Sequence, residues 1–151
     1  MDFYISYFYQ LRFFPKNAVP LSTCLYDPKY YHDSKGAAHV YYDKRGVING
    51  LRAEPLCPKE VHVIGEAQCG KNCGQQIPCL FMKEYYKYLQ TLDFNDIISR
   101  AETLAKKIDD NPIIILLVHE PKSCKCAERP CLQKWFADHG IELKEWEKND
   151  T

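Results

Sequence analysis

Six consecutive apolar residues, Ile113 to Val118 (IIILLV), run without a polar interruption. A stretch of that length and β-branched character suits a strand covered on both faces, as in a parallel sheet. His119 to Arg129 is polar. Pro130 then opens an apolar series, Leu132, Trp135, Phe136 and His139, at helical spacing, and Gly140 stops it. Proline at the first helical position and glycine just past the last are the expected punctuation. A short strand, Ile141 to Trp146, follows closely, and a right-handed crossover sets it parallel to the first. Ligands on open α/β sheets bind where loops leave the carboxyl ends of the strands. The loop of this strand–loop–helix unit is therefore the first place to seek a site.

That loop carries Glu120, Lys122, Cys124, Lys125, Cys126, Glu128 and Arg129, with Cys131 one residue into the helix. Backbone N–H groups at a helix start, with lysines and an arginine nearby, make an anion cradle. A thiol in such surroundings has its pKa lowered and becomes a better nucleophile or metal ligand. On this reading Cys126 is the nucleophile or a metal ligand, and Glu120 an orienting or acid–base group. Arg129, Lys122 and Lys125 contact the anion. Glu120 and Arg129 pairing with each other across the loop is an equal alternative. Cys124 and Arg129 are separated by four residues, where cysteine phosphatases use five, and the glycines of a rhodanese loop are missing. His119 stands where a general base is convenient, although a hydrogen-bonded histidine is the commoner outcome.

Upstream, Phe3, Ile5, Tyr7 and Tyr9 alternate and predict a strand over Phe3 to Tyr9. Arg12 and Lys16 lie in the following loop, either sharing a ligand face with the last loop or forming a solvated basic loop. Val19 to Leu25 predicts a second strand. Ala37 to Tyr42 and Val47 to Asn49 flank Asp43-Lys44-Arg45-Gly46 and read as a β-hairpin inserted over residues 32–49. Leu51 to Lys59 is irregular, and Val61 to Ile64 reads as one more short strand. Leu80 to Leu92 has helical periodicity, with Phe81, Tyr85, Tyr88, Leu89 and Leu92 inward. Asp93 caps a second helix, Phe94 to Ile108, whose apolar stripe runs from Ile97 to Ile108. Nothing repeats and no linker divides the chain, so residues 1–151 form one domain.

Lysine plus arginine equals aspartate plus glutamate at 20 each, which excludes a global field for nucleic acid or anionic membrane but leaves room for a local basic patch. No apolar run reaches membrane-span length, and Met1 to Gln10 lacks the pattern of a signal peptide, so a cytoplasmic protein is expected. There, eight cysteines imply thiols, metal ligands or chemistry rather than disulfides. Cys57, Cys69, Cys73 and Cys79 lie in or beside the loop at residues 65–79 and are the candidate zinc ligands. The opposing reading is that each is a small buried hydrophobe. Cys124, Cys126 and Cys131 can add ligands if the two loops meet. His32, His39, His62 and His139 show no ligand spacing. The eleven tyrosines suggest base stacking, but most sit at core spacing, as do Trp135 and Phe136.

The string IIILLVHEPKSCKCAERPCLQKWFADHGIEL resembles the C-terminal signature of the "domain of unknown function 488" family: a hydrophobic strand, a glutamate, a short gap, Cys-His-Arg, then a helix ending near Gly-Ile-Glu. Glu120 and Cys126 fall on the family's glutamate and cysteine. Ala127 and Glu128 replace its His-Arg, and Arg129 fits with a one-residue shift. YISYFYQLRFFPKNAVPLSTCLYDPKYY and FMKEYYKYLQTLDF resemble the tyrosine-rich opening strand and central helix of phage and clostridial members. Abundant tyrosine, lysine, asparagine and isoleucine also fit an AT-rich bacterial or phage coding bias. The resemblance implies a compact, Rossmann-like α/β domain with a mostly parallel sheet flanked by helices. The expected function is binding of an anionic ligand, a nucleotide or nucleic acid, with thiol-dependent chemistry in prospect. The alternative is a non-catalytic, zinc-stabilised module acting on a protein or nucleic-acid partner.

Overall fold

The IIILLV run forms strand β3 (Ile113–Val118), and its last five residues are fully or almost fully buried. It pairs in parallel with β1 (Phe3–Tyr7) on one side and β2 (Ala18–Ser22) on the other. A two-residue β4 (Lys144–Glu145) adds to the far side of β1, also parallel, giving the order β2-β3-β1-β4. This is an α/β sheet with all four strands parallel, as the unbroken apolar run requires. The computed structural model describes residues 1–28, 31, 51–58 and 78–148. The expected hairpin at 32–49, the strand at Val61 to Ile64, and Cys69, Cys73, His32, His39 and His62 lie outside the described residues.

Three predicted strands are shorter than their patterns, the one expected over Ile141 to Trp146 forming only at Lys144–Glu145. The first stops at Tyr7, opposite Val118, where β3 ends and offers no further ladder partner. Phe8–Phe13 then winds into a 3₁₀ helix instead of extending to Tyr9. β2 ends at Ser22, opposite Leu117, and not at Leu25. Its Pro20 is tolerated because β2 is an outer strand of the sheet. The outer side of β2 is met by a single parallel bridge from Ser22 to Arg52, with Ser22 N donating to Leu51 O (3.0 Å) and Ala53 N to Ser22 O (2.8 Å). A 3₁₀ turn follows at Glu54–Leu56.

Helix α1 (Leu80–Gln90) and helix α3 (Glu128–Asp138) pack against each other, while α2 (Phe94–Ile108) lies against β3. Asp93 caps α2 as expected, its carboxylate accepting from Asp96 N at 3.1 Å. Phe94 joins the elements, meeting Trp135 at 4.9 Å, Phe136 at 5.2 Å and the His139 ring at 4.1 Å between centroids. Trp135 and Phe136 are core residues, and His139 is a structural one whose Nδ1 lies 2.9 Å from Trp135 O. Gly140 ends α3 with φ 79°. Its N–H donates to Ala137 O and that of Ile141 to Phe136 O, the paired bonds of a Schellman cap. No helix among the described residues is long and apolar enough to cross a membrane.

Candidate acid–base site at the carboxyl end of the sheet

Parallel strands deliver their outgoing loops to one edge. β2 hands over at Thr23, whose backbone N–H donates to Leu117 O at 3.0 Å, prolonging the ladder by one bond. The Thr23 hydroxyl is thereby held 3.0 Å from the same carbonyl and 2.9 Å from Glu128 Oε2. Glu128 opens α3 and is 8 % exposed. Burial pushes its carboxyl up to about 8, and Glu120 adds to the rise, against the opposing effects of the Thr23 bond and Arg52. At neutral pH the acid form predominates. The Thr23 hydroxyl is the donor to both Leu117 O and Glu128 Oε2, so one side chain ties the strand end to the first turn of α3. Ionisation of Glu128 makes its carboxylate compete with the carbonyl for the threonine proton.

Four more residues belong to this cluster. Cys24 is fully buried, its sulfur 3.7 Å from Leu117 O. Burial first, then Glu128, Glu120 and Asp27, push its thiol far above the usual range, so it stays protonated. Arg52 is engaged by Asp27 (2.6 Å), Glu54 (2.5 Å) and the Cys24 carbonyl (2.5 Å). Asp27 also accepts from the Ser22 hydroxyl. Glu120, at the end of β3, is partly exposed, yet its Oε2 is buried with no hydrogen-bond partner among the described residues. A buried unsatisfied carboxylate oxygen costs free energy unless something donates to it.

The loop residues singled out above take different positions. Arg129 is 3 % exposed and directed into the protein. Its Nε lies 2.6 Å from Glu145 Oε1 and its Nη1 donates to Glu120 O at 2.6 Å, clamping the loop to β4. The expected pairing is therefore with the Glu120 backbone and the Glu145 carboxylate, not the Glu120 side chain. Lys122 pairs with Glu147 at 3.0 Å, and Lys125 is exposed. Cys126 is half-buried against the core, and the Cys124 sulfur lies 3.8 Å from its carbonyl. Cys131 sits between α1 and α3, donating to Met82 O at 3.4 Å, with its thiol pushed up to about 12 by burial and by Cys79 and Glu128. His119 is exposed, with Nε2 against the Tyr26 carbonyl and its ring 5.2 Å from that of Phe8. Arg12 is exposed in the 3₁₀ helix that leaves β1 at this edge.

Of the candidate zinc ligands, Cys57 and Cys79 are buried, and the Cys57 sulfur lies 3.5 Å from Cys24 O. Among the described residues no three His, Cys, Asp or Glu side chains converge in a metal-binding group. A cleft of about 370 Å³ opens between α1 and α3, lined by Met82, Lys83, Tyr86, Pro130, Cys131 and Lys134 among others. It shares only the first turn of α3 with the acid–base cluster, and no carboxylate lines it.

No protein-family model, curated protein or solved structure matches this chain. The reading of the site therefore rests on its own geometry. Thr23, Cys24, Asp27, Arg52 and the role of Glu128 were not anticipated from the sequence. No signal set the first two apart, since Thr23 and Cys24 fall inside the strand predicted over Val19 to Leu25 and only the observed end of β2 at Ser22 puts them at the edge. Arg52 and Asp27 meet across 25 residues of chain, and no local pattern announces such a pair.

Proposed function

We propose that this protein binds a nucleotide-like ligand at the carboxyl end of its sheet and acts on it by acid–base chemistry, with Glu128 as the proton donor and acceptor. One observation carries the reading: Glu128 is a buried carboxyl at the carboxyl end of the sheet, 2.9 Å from the Thr23 hydroxyl and pushed up to about 8 by burial, with a second carboxyl, Glu120, leaving an oxygen unsatisfied among the described residues. A general acid–base group works best with its pKa near the operating pH. The inner end of the site, being acidic, suits hydrogen-bond donors such as ribose hydroxyls or a base amino group. The anionic end of the ligand is assigned to the exposed loop cations, Lys125 and Lys122, the latter exchanging Glu147 for phosphate. Arg129 acts by holding the loop. Cys126 remains the proposed thiol of the same loop.

The test is calorimetric titration with a panel of nucleosides and nucleotides, on wild type, Glu128→Gln, Glu120→Gln and Cys126→Ser. Binding of a nucleotide class is expected, with turnover or affinity following an apparent pKa near 8 that Glu128→Gln abolishes. Absence of binding across the panel, or a pH profile unchanged in Glu128→Gln, removes the proposal. Full activity in Cys126→Ser removes the thiol from it. We also propose the family likeness to the "domain of unknown function 488" group, which the Glu120 and Cys126 spacing supports.

A zinc-stabilised binding module is the second proposal. Its support is that Cys57 and Cys79, at the two ends of residues 59–77, are both drawn into the protein. Metal analysis of protein purified without added zinc decides it, one tightly held ion per chain being the expected result.

A further inference from the structure

A different surface on the same edge invites a partner. Only three large apolar or aromatic side chains among the described residues are strongly exposed, and two of them, Tyr9 (52 %) and Tyr26 (75 %), stand on segments that leave the carboxyl ends of strands. Tyr9 is organised by its neighbours. Tyr7 stacks beside it at 6.2 Å, Phe13 meets it edge-on at 6.1 Å, and the Arg12 guanidinium lies 4.2 Å from its centroid. Lys148 places its ammonium 4.4 Å from the Phe13 centroid, and its backbone N–H is held by Gln10 Oε1 at 3.2 Å. Arg12 is also 6.0 Å from that ring.

Two cations are thus gathered over one aromatic cluster, and neither has a carboxylate partner among the described residues. Glu147, the residue before Lys148, is engaged by Lys122. Cation–π contacts fix the positions of charges without neutralising them. An anion bridging the two relieves their mutual repulsion, and an exposed ring beside them offers a flat apolar face.

We propose that the Tyr9–Arg12–Phe13–Lys148 surface binds single-stranded nucleic acid. An unpaired base stacks on the Tyr9–Arg12 platform, and adjacent phosphates meet Arg12 and Lys148. Bases stack on aromatic and guanidinium planes only when unstacked from their neighbours, which favours a single strand over a duplex. An acidic peptide matches the cations but makes no use of the ring. The surface lies outside the Glu128 cluster, so this inference stands or falls independently of the acid–base reading.

The experiment is fluorescence anisotropy of a labelled oligothymidylate with the full chain, titrated at several salt concentrations. The variants are Tyr9→Leu, Tyr9→Phe and Arg12→Ala/Lys148→Ala, each checked for an unchanged unfolding midpoint. Tyr9→Leu is expected to weaken binding by about tenfold, while Tyr9→Phe binds as wild type, since stacking needs the ring and not the hydroxyl. The double variant should lower the salt slope by about 1.4, the value for two phosphate contacts on a single strand. No binding at low salt, or binding indifferent to both the ring and the cations, overturns the inference. So does a polyglutamate peptide that binds equally well through Arg12 and Lys148 regardless of Tyr9, which assigns the surface to acidic proteins.

Discussion

Glu128 stores a proton that the unfolded chain does not hold. Its carboxyl titrates at about 8 in the folded protein and near 4.5 when unfolded. Between those values the folded state binds the extra proton, so this residue's contribution to stability is full below pH 4.5. It is lost as pH rises to about 8, at about 1.4 kcal/mol for each unit crossed. Urea unfolding midpoints of wild type should therefore fall, relative to those of Glu128→Gln, across that window and run parallel above it. Arg129 behaves oppositely: it is a permanent charge whose role is geometric. Replacing it with methionine leaves Glu145 without its ion pair and should cost about 3 kcal/mol, the low end for buried pairs because Glu145 keeps some solvent. Arg129→Met/Glu145→Leu should recover much of that loss in equilibrium denaturation, since no unpaired charge remains.

Some elements in this fold end on local signals and others where a ladder partner ends, and that difference separates the legible parts from the illegible ones. Helix α2 was readable to the residue because its stop and start signals are local: Asp93 caps it, and breaking that cap with alanine should cost about 1 kcal/mol in thermal or urea unfolding. Gly140 was equally readable. Its φ of 79° is one that side chains resist, and a methyl there would touch nothing within 4 Å. Gly140→Ala should therefore destabilise by about 1–2 kcal/mol through backbone conformation alone, and Gly140→Asn by less. The alternation Phe3 to Tyr9, by contrast, overstated its strand. Tyr9 fits the period of two, but β3 stops at Val118, and a strand without a ladder partner gives way to a 3₁₀ turn.

At the scale of the whole molecule, burial sorts the thiols. Cys24, Cys57, Cys79 and Cys131 lie in the core, whereas Cys124 and Cys126 are half-buried. Among the six described cysteines, alkylation of native protein followed by peptide mapping should modify Cys124 and Cys126 before Cys24, Cys57, Cys79 and Cys131, which should react only under denaturing conditions. Rapid native labelling of Cys24 would contradict its placement beneath the site. The sequence by itself determined the parallel α/β class and the three helices, because these follow from periodicity and from turn chemistry carried within short windows. Only the tertiary structure decided which side chains meet. Thr23 finds Glu128 across 105 residues, Arg52 finds Asp27, and Arg129 turns inward to Glu145. Contacts of that kind depend on strand order and register, which no local pattern of residues encodes.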